Sequence, residues 1–342
     1  MKHMKYRIAA TVVASFCAHA HAQDAGSVNL ACSAGPDWCT KLAQTFTKET
    51  NVKVNLTVKS TGEVLAQLNA EKNNPKLDVW FGGTGDPHLQ AAEQDLAQEY
   101  RSPLLPKLHE WAQGQAKSSG YKTVGVYLGV LGFSYNTEVI AKKKLAVPLC
   151  WKDLPKPEYK KEIQVANPHS SGTAYTAIAT MVQIMGEDAA FDYFKKLHPN
   201  ISQYTRSGSA PVKNAARGEN TIGISFLADV AGEAQAGFPV KGIAPCEGTG
   251  FEVGSMTIVK GARNVDAAKR FYEWALTPAA QATAYEAKSF QLPSNRETPG
   301  HALIPKNFEM KLIDYDFAKY GSAAVRKKLL ERWDKDVMSL PQ

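Results

Sequence analysis

The chain has 342 residues, of which 44% are hydrophobic and 21% charged, and its formal net charge is +7. This much apolar material, with ordinary use of glycine and proline, excludes a disordered, collagenous or coiled-coil protein. At roughly 150 residues per domain the length predicts about two domains, and the sequence contains no uncharged apolar run of about 18 residues that would indicate a membrane-spanning helix.

The first 22 residues are predicted to be a cleavable secretory signal peptide. Lys2, Lys5 and Arg7 precede a short apolar stretch, and Ala20-His21-Ala22 supplies the small residues that a signal peptidase requires. An amphipathic helix of the folded protein would instead interleave its charges with its apolar residues. We therefore expect a soluble exported protein whose mature chain begins at Gln23. Its net charge would be +4, because the leader holds three positive charges and no negative ones.

Four cysteines follow the predicted leader, namely Cys32, Cys39, Cys150 and Cys246. An even number of cysteines in an oxidising compartment predicts disulfides, and four of them allow three pairings. We favour Cys32 with Cys39, which closes a short loop, and Cys150 with Cys246. A metal site is the alternative, but no histidine lies at ligand spacing beside these cysteines. We expect no metal and no other cofactor.

Strands and helices alternate along the mature chain. Apolar runs and apolar-polar alternation predict strands at 28–31, 52–58, 77–81, 124–134, 163–168 (with a turn), 222–226 and 255–259. Helical spacing predicts helices at 38–49, 64–69, 174–185, 212–217 and 264–276, and a mostly helical tail at 302–340. This alternation predicts an α/β fold with a mainly parallel sheet, in which ligands bind at the carboxyl ends of the strands.

Small and hydroxyl-bearing residues cluster where predicted strands lead into helices. Backbone N–H groups and hydroxyls at such junctions form anion sites, although Ser and Thr there also serve as plain helix caps. Asp86 is assigned to a turn or cap before Pro87, whereas Asp229 and Glu252 are acidic candidates for the site. The remaining candidates are Ser33, Ser60, Thr61, Gly62, Gly83, Thr84, Ser170, Ser171, Gly172, Thr173 and Ser207.

Signatures of catalysis and of nucleic-acid binding are absent from the sequence. It contains no Gly-x-Ser-x-Gly, no His-Glu-x-x-His, no P-loop and no Gly-x-Gly-x-x-Gly after the first strand, and its histidines are scattered. No concentrated basic face with interleaved aromatic residues is present, so no nucleic-acid partner is expected. We expect a protein that is not an enzyme.

Four segments carry a resemblance to a known family: 77–83, 129–136, 167–173 and 247–254. In their order and spacing the chain resembles periplasmic substrate-binding proteins of ABC importers. It most resembles the ferric-iron-binding-like branch, which also contains binders of hexose phosphates, phosphoglycerate and 2-aminoethylphosphonate. The resemblance implies a monomer with a type II fold, in which two lobes, each a mainly parallel sheet flanked by helices, close over one ligand in the cleft.

The same resemblance implies the lobe boundaries and the partner. The first lobe would comprise residues 23–130 and 255–305, and the second lobe 131–254 and 306–342. Hinge closure would capture a ligand, and the loaded protein would deliver it to an ABC permease in the inner membrane.

Departures from the family pattern bear on the ligand. Ferric binders of this family coordinate iron with adjacent tyrosines, but this chain has no Tyr-Tyr pair, and the matching strand end is Ser225 to Asp229. Phosphate-binding relatives use hydroxyls and helix N-termini, so we expect a small anionic organophosphate or phosphonate such as a sugar phosphate. Asp229 and Glu252 would then contact sugar hydroxyls or an amine. Ferric iron with a synergistic anion, another small anion, a polyamine, a sensory role or a secreted hydrolase are the alternatives.

Overall fold

The computed structural model describes residues 26–306 and 310–341, so the predicted signal peptide lies outside the described residues. The described strands are β1 (Ser27–Cys32), β2 (Lys53–Val58), β3 (Val79–Phe81), β4 (Val124–Asn136), β5 (Ile163–Ala166), β6 (Ile201–Thr205), β7 (Ile222–Phe226), β8 (Val240–Ile243), β9 (Phe251–Ile258) and β10 (Leu292–Pro293).

The described α-helices are α1 (Pro36–Thr50), α2 (Thr61–Ala70), α3 (Gly85–Glu93), α4 (Glu110–Ser118), α5 (Thr137–Lys142), α6 (Gly172–Met185), α7 (Glu187–Leu197), α8 (Ala210–Ala216), α9 (Leu227–Gln235), α10 (Val265–Ala275), α11 (Pro278–Glu286), α12 (Phe317–Tyr320) and α13 (Ala323–Trp333). Among the described residues, no helix combines the length and the apolar content that crossing a bilayer requires.

One continuous set of strand pairings runs β2-β1-β3-β9-β4-β7-β5-β6, with β8 and β10 also paired to β4. Strand β1 is parallel to β2 and β3, and β5 is parallel to β6 and β7. The first part of β4 pairs with β9, up to Val130 opposite Phe251, and its second part pairs with β7 from Leu131 opposite Phe226 onward. Strand β4 thus passes from one half of the sheet into the other.

Each half of the sheet has its own apolar core, and we call the two halves with their packed helices the first and second lobes. In the first lobe Phe46 packs edge to face on Phe271, with ring centroids 5.0 Å apart. In the second lobe Phe194 packs on Trp333 at 5.4 Å. The predicted two-lobed α/β fold is therefore confirmed. Its three parallel strands per lobe are joined by antiparallel crossing strands, and the residue limits of the lobes stay a prediction.

Both predicted disulfides are present. Cys32 at the end of β1 is bonded to Cys39 in α1, and Cys150 is bonded to Cys246 across 96 positions of the sequence. In the part of the chain that the structure describes, the one cluster of candidate metal ligands is this second disulfide with Glu247. The Glu247 carboxylate already accepts hydrogen bonds from the backbone N–H groups of Trp151 and Lys152, at 2.8 and 3.0 Å.

Two sequence predictions hold only in part here. The tail is helical from Phe317 onward, but the described residues before it, 302–306 and 310–316, contain no helix. The aromatic side chains of Tyr315 and Phe317 pack against the second core instead, and the N–H of Ile313 donates to the carbonyl of Thr249 at 2.9 Å. The strand predicted at 255–259 begins earlier than expected, since β9 starts at Phe251 and is held by pairing with β4.

Candidate functional site

A polar cavity of about 430 Å³ lies where the two lobes face each other. Of the thirteen ligand-binding candidates from the sequence, eleven line it: Ser33, Ser60, Thr61, Gly83, Thr84, Ser171, Gly172, Thr173, Ser207, Asp229 and Glu252. The other two, Gly62 and Ser170, lie beside it and are joined by a 3.0 Å hydrogen bond from the Gly62 N–H to the Ser170 carbonyl. The fold thus gathers residues that are up to 219 positions apart in sequence.

The turn after β3 brings backbone from the first lobe to the cavity. Gly82 and Gly83 adopt φ values of 75° and 78°, which favour glycine, and a Cβ on Gly83 would lie 2.0 Å from Cγ2 of Thr61. The N–H of Gly83 donates to the hydroxyl of Tyr127 at 2.7 Å. A His88 ring nitrogen bonds to the Gly82 carbonyl at 3.1 Å, and burial lowers the pKa of this histidine to about 3, so its ring is neutral.

Two hydroxyls from the first lobe complete this side. Ser33 follows β1, and its Oγ accepts a hydrogen bond from the indole N–H of Trp80 at 2.9 Å. Thr84 precedes α3 at the N-cap position, and its buried Oγ1 has no hydrogen-bond partner among the described residues. Buried hydroxyls are seldom left unpaired in proteins, so the Thr84 hydroxyl is available to a bound solute.

The second lobe presents the N-terminus of α6 to the cavity. Ser171 is the N-cap residue and accepts from the N–H of Ala174 at 3.5 Å, and Gly172 and Thr173 form the first turn. The first N–H groups of a helix have no partner within the helix and carry the positive end of its dipole. The loop before α8 packs closely against this helix start, because a Cβ on Gly208 would lie 2.1 Å from Oγ1 of Thr173.

The two lobes touch each other directly at the edge of the cavity. The N–H of Gly172 donates to Oγ1 of Thr61 at 2.9 Å. A Cβ on Gly172 would lie 1.8 Å from Oγ1 of Thr84, and one on Gly62 would lie 2.2 Å from the His169 carbonyl oxygen. Contacts this short leave no room for a side chain, so glycine is required at both positions for the lobes to approach this closely.

Two further contacts cross between the lobes. Oγ of Ser60 donates to the Arg206 carbonyl at 3.3 Å, and the Arg206 guanidinium forms an ion pair with Glu63 in the first turn of α2. The Arg206 side chain is largely exposed, so this pair contributes little by itself. Together with the glycine contacts it shows that the structure is in a closed arrangement.

A pair of carboxyl groups, those of the buried Glu252 and the partly buried Asp229, also faces the cavity. Glu252 is 4% exposed, and its Oε2 has no hydrogen-bond partner within the described residues. Burial raises the pKa of Glu252 well above its usual value, and the charges of Asp229 and Asp86 raise it further. Burial also raises the pKa of Asp229, although that carboxylate accepts a 2.7 Å hydrogen bond from Oγ of Ser225. The pair therefore brings carboxyl oxygens to the cavity in surroundings that disfavour their charged form.

Sequence reasoning missed several cavity residues and misassigned one nearby. Tyr127, Arg206 and Gln291 line the cavity but were not among the candidates. The junction at 206–211 was a visible signal for Arg206, whereas nothing local distinguishes Tyr127 from the other apolar residues of its strand. Asp86 is not a cap or turn residue: Thr84 is the N-cap, and Asp86 lies in the first turn of α3, 2% exposed, accepting a hydrogen bond from Tyr315.

Two α/β lobes joined by crossing strands and facing each other across a polar cavity define a solute-binding protein. Residues 74–320 match the bacterial extracellular solute-binding protein family, and the chain belongs to it. It is a periplasmic solute-binding protein of the ABC-transporter type, and proteins of this family bind small ligands and deliver them to permeases.

Three similar proteins cover nearly the whole chain. The periplasmic binding protein AfuA of Actinobacillus pleuropneumoniae, solved with exogenous fructose-6-phosphate bound, is 47% identical over 92% of this chain and 99% of its own, with a TM-score of 0.90. The periplasmic binding protein P5PA is 35% identical over 91% and 99%, with a TM-score of 0.88. An uncharacterised protein of Haemophilus influenzae is 44% identical over 96% and 95%. These similarities confirm the predicted type II fold.

Proposed function

We propose that this protein captures a small phosphorylated or phosphonate compound, such as a sugar phosphate, and delivers it to an ABC permease. The observation that carries the proposal is a cavity in which hydroxyls and helix N-termini from both lobes lie together with the carboxyl groups of Asp229 and Glu252. The cavity volume of about 430 Å³ falls in the range of small-molecule sites.

The phosphoryl end of the ligand would bind at the hydroxyl-rich part of the cavity. Thr61, Thr84 and Thr173 supply hydroxyls, and the N-terminus of α6 supplies the backbone N–H of Thr173 and a favourable dipole. Hydrogen bonds to a phosphate oxyanion are about twice as strong as bonds between neutral groups. Several such bonds therefore hold a phosphate without a full counter-charge, which fits a cavity whose arginine, Arg206, is already paired with Glu63.

The remainder of the ligand would bind at Asp229 and Glu252. Burial raises the pKa of both carboxyl groups, and a carboxyl group accepts hydrogen bonds when ionised and also donates one when protonated, which suits sugar hydroxyls or an amine. The relative AfuA, solved with fructose-6-phosphate bound, supports a ligand with a phosphate at one end and hydroxyls at the other.

Isothermal titration calorimetry of unfolded and refolded protein tests the proposal. Refolding removes any solute carried through purification. The panel comprises fructose 6-phosphate, glucose 6-phosphate, 2-aminoethylphosphonate, ferric citrate and spermidine. We expect micromolar or tighter binding of at least one of the first three. Tight binding of ferric citrate or spermidine, with no heat from the phosphorylated compounds, contradicts the proposal.

Phosphate release from fructose 6-phosphate, followed by phosphorus NMR, covers the enzymatic alternative. We expect the ester signal to persist in the presence of the protein. Loss of that signal at a catalytic rate would show that the protein is a hydrolase.

A further inference from the structure

A second buried polar cluster joins the lobes without lining the ligand cavity. The Tyr315 hydroxyl donates a 3.0 Å hydrogen bond to Oδ2 of Asp86, and the two residues are 4% and 2% exposed. They are separated by 229 positions in the sequence. Neither side chain lines the cavity described above, although the charge of Asp86 contributes to the raised pKa of Glu252.

Arg326 of α13 is the third member of the cluster. Its Nη2 donates to the Pro168 carbonyl at 3.0 Å, and its guanidinium lies 4.6 Å from the centre of the Tyr175 ring. Arg326 is only 6% exposed, and its positive charge lowers the pKa of Asp86, although burial has the larger effect and raises that pKa to about 6. Oδ1 of Asp86 and Nη1 of Arg326 have no hydrogen-bond partner among the described residues.

The partners of this contact are anchored in different lobes. Asp86 belongs to α3, whose Ala91 packs with Leu65 and Trp80 of the first lobe. Tyr315 packs in the core of the second lobe, where its ring lies 6.1 Å from that of Tyr320. The Asp86–Tyr315 hydrogen bond therefore breaks when the lobes separate.

The cluster lies immediately behind the two helix N-termini that face the cavity. Asp86 follows the cavity residue Thr84 by two positions in α3. Tyr175, on which Arg326 stacks, follows the cavity residue Gly172 by three positions in α6. A contact that fixes α3 relative to the second lobe also fixes the distance between Thr84 and the start of α6.

We propose that Asp86, Tyr315 and Arg326 are positioning residues that hold the lobes closed from outside the ligand cavity and so set how long a captured solute is retained. The part of this proposal that concerns retention of a solute rests on the proposed function, whereas the part that concerns closure of the lobes does not. Opening transfers the carboxylate of Asp86 and the guanidinium of Arg326 toward water. Removing one partner leaves a buried charge poorly compensated in the closed state alone.

Single-molecule energy transfer between the lobes tests this proposal without any ligand. Dyes are attached through Asn73→Cys and Lys160→Cys, at two exposed positions on opposite lobes. Tyr315→Phe keeps the ring and removes the hydroxyl, and we expect the ratio of closed to open molecules to fall about tenfold. Tyr159→Phe is the matched control, because the buried Tyr159 hydroxyl donates at 2.8 Å to Ala146 within the second lobe.

Asp86→Ala provides a second variant, and we expect it to shift the ratio in the same direction. In the double variant, the fold-change in the ratio of closed to open molecules should be smaller than the product of the two single fold-changes, because both substitutions remove the same contact. The proposal is overturned if the ratio stays unchanged in Tyr315→Phe. It is equally overturned if Tyr315→Phe and Tyr159→Phe lower the melting temperature and the closed fraction alike.

Ligand kinetics separate this inference from the proposed function. With fructose 6-phosphate as the probe, we expect Tyr315→Phe to increase the dissociation rate about tenfold in stopped-flow tryptophan fluorescence. If the wild-type protein does not bind this or any other phosphorylated probe, the proposed function fails. The closure measurement still decides the role of the cluster in that case.

Discussion

Gly172→Ala is the substitution that most sharply tests the closed arrangement of the lobes. Gly172 is the first residue of α6 and has an ordinary helical backbone, so alanine suits the second lobe by itself. In the closed structure, however, the added Cβ would lie 1.8 Å from Oγ1 of Thr84 and 2.5 Å from Oγ1 of Thr61. The lobes must therefore stay apart by more than an ångström at this point.

Three hydrogen bonds between the lobes are lost at that separation. They are the bonds from the Gly172 N–H to Thr61 at 2.9 Å, from the Gly62 N–H to Ser170 at 3.0 Å, and from the Ser60 hydroxyl to Arg206 at 3.3 Å. At about 1 kcal/mol for each bond, closure loses about 3 kcal/mol. Ligand affinity should fall about 100-fold, since 1.4 kcal/mol corresponds to a factor of ten.

Calorimetry with fructose 6-phosphate measures this loss, and thermal unfolding of the ligand-free protein shows that the variant is folded. Gly114→Ala in α4 is the matched control, because no heavy atom lies within 4 Å of its added Cβ. We expect wild-type affinity for the control. Wild-type affinity for Gly172→Ala would refute the reasoning, because the ligand-bound protein would then not have the lobe contact seen here.

Three other substitutions give distinct readouts. Thr173→Val removes a cavity hydroxyl, and we expect about tenfold weaker binding of a phosphate ester in calorimetry; Thr47→Val in α1, outside the cavity, should bind normally. Asp86 has a folded-state pKa of about 6 against 3.8 for the free side chain, so its contribution to stability falls as pH rises from about 4 to 6 and then stays constant. In chemical denaturation, wild type should therefore lose about 2 kcal/mol relative to Asp86→Asn between pH 4 and 7; a constant difference would contradict the assigned shift. Replacing the Cys150–Cys246 disulfide by serines should lower the unfolding free energy by roughly 4–5 kcal/mol, because the bond closes a loop of about a hundred residues; an unchanged denaturation midpoint would contradict this.

Local patterns were enough to predict the parts of the site that lie where strands lead into helices. Hydroxyl and glycine residues at Ser33, Ser60 to Thr61, Gly83 to Thr84 and Ser171 to Thr173 all reach one cavity, since parallel strands of each lobe end on the same side. The sequence shows each junction, and the α/β class follows from the alternation of strands and helices.

The positions of other site residues depend on contacts between distant segments, which local sequence patterns do not show. Tyr127 looks like an ordinary strand residue, yet pairing of β4 with β9 and the turn at Gly83 bring its hydroxyl to the cavity. Glu252 lies outside the strand predicted at 255–259, but that same pairing extends β9 back to Phe251. Asp86 is assigned to a cap because nothing near it in sequence shows its partner, Tyr315, which comes from the non-helical first part of the tail.

The central claim is that one ligand uses both the hydroxyl-rich part of the cavity and the carboxyl pair. Calorimetric affinities of refolded protein for fructose 6-phosphate, fructose and inorganic phosphate test it directly. The account predicts that fructose 6-phosphate binds at least about a thousandfold more tightly than either fragment, because only the whole compound engages the hydroxyls of Thr61 and Thr84 together with Asp229 and Glu252. Equal affinity for the whole compound and for one of its fragments would contradict it.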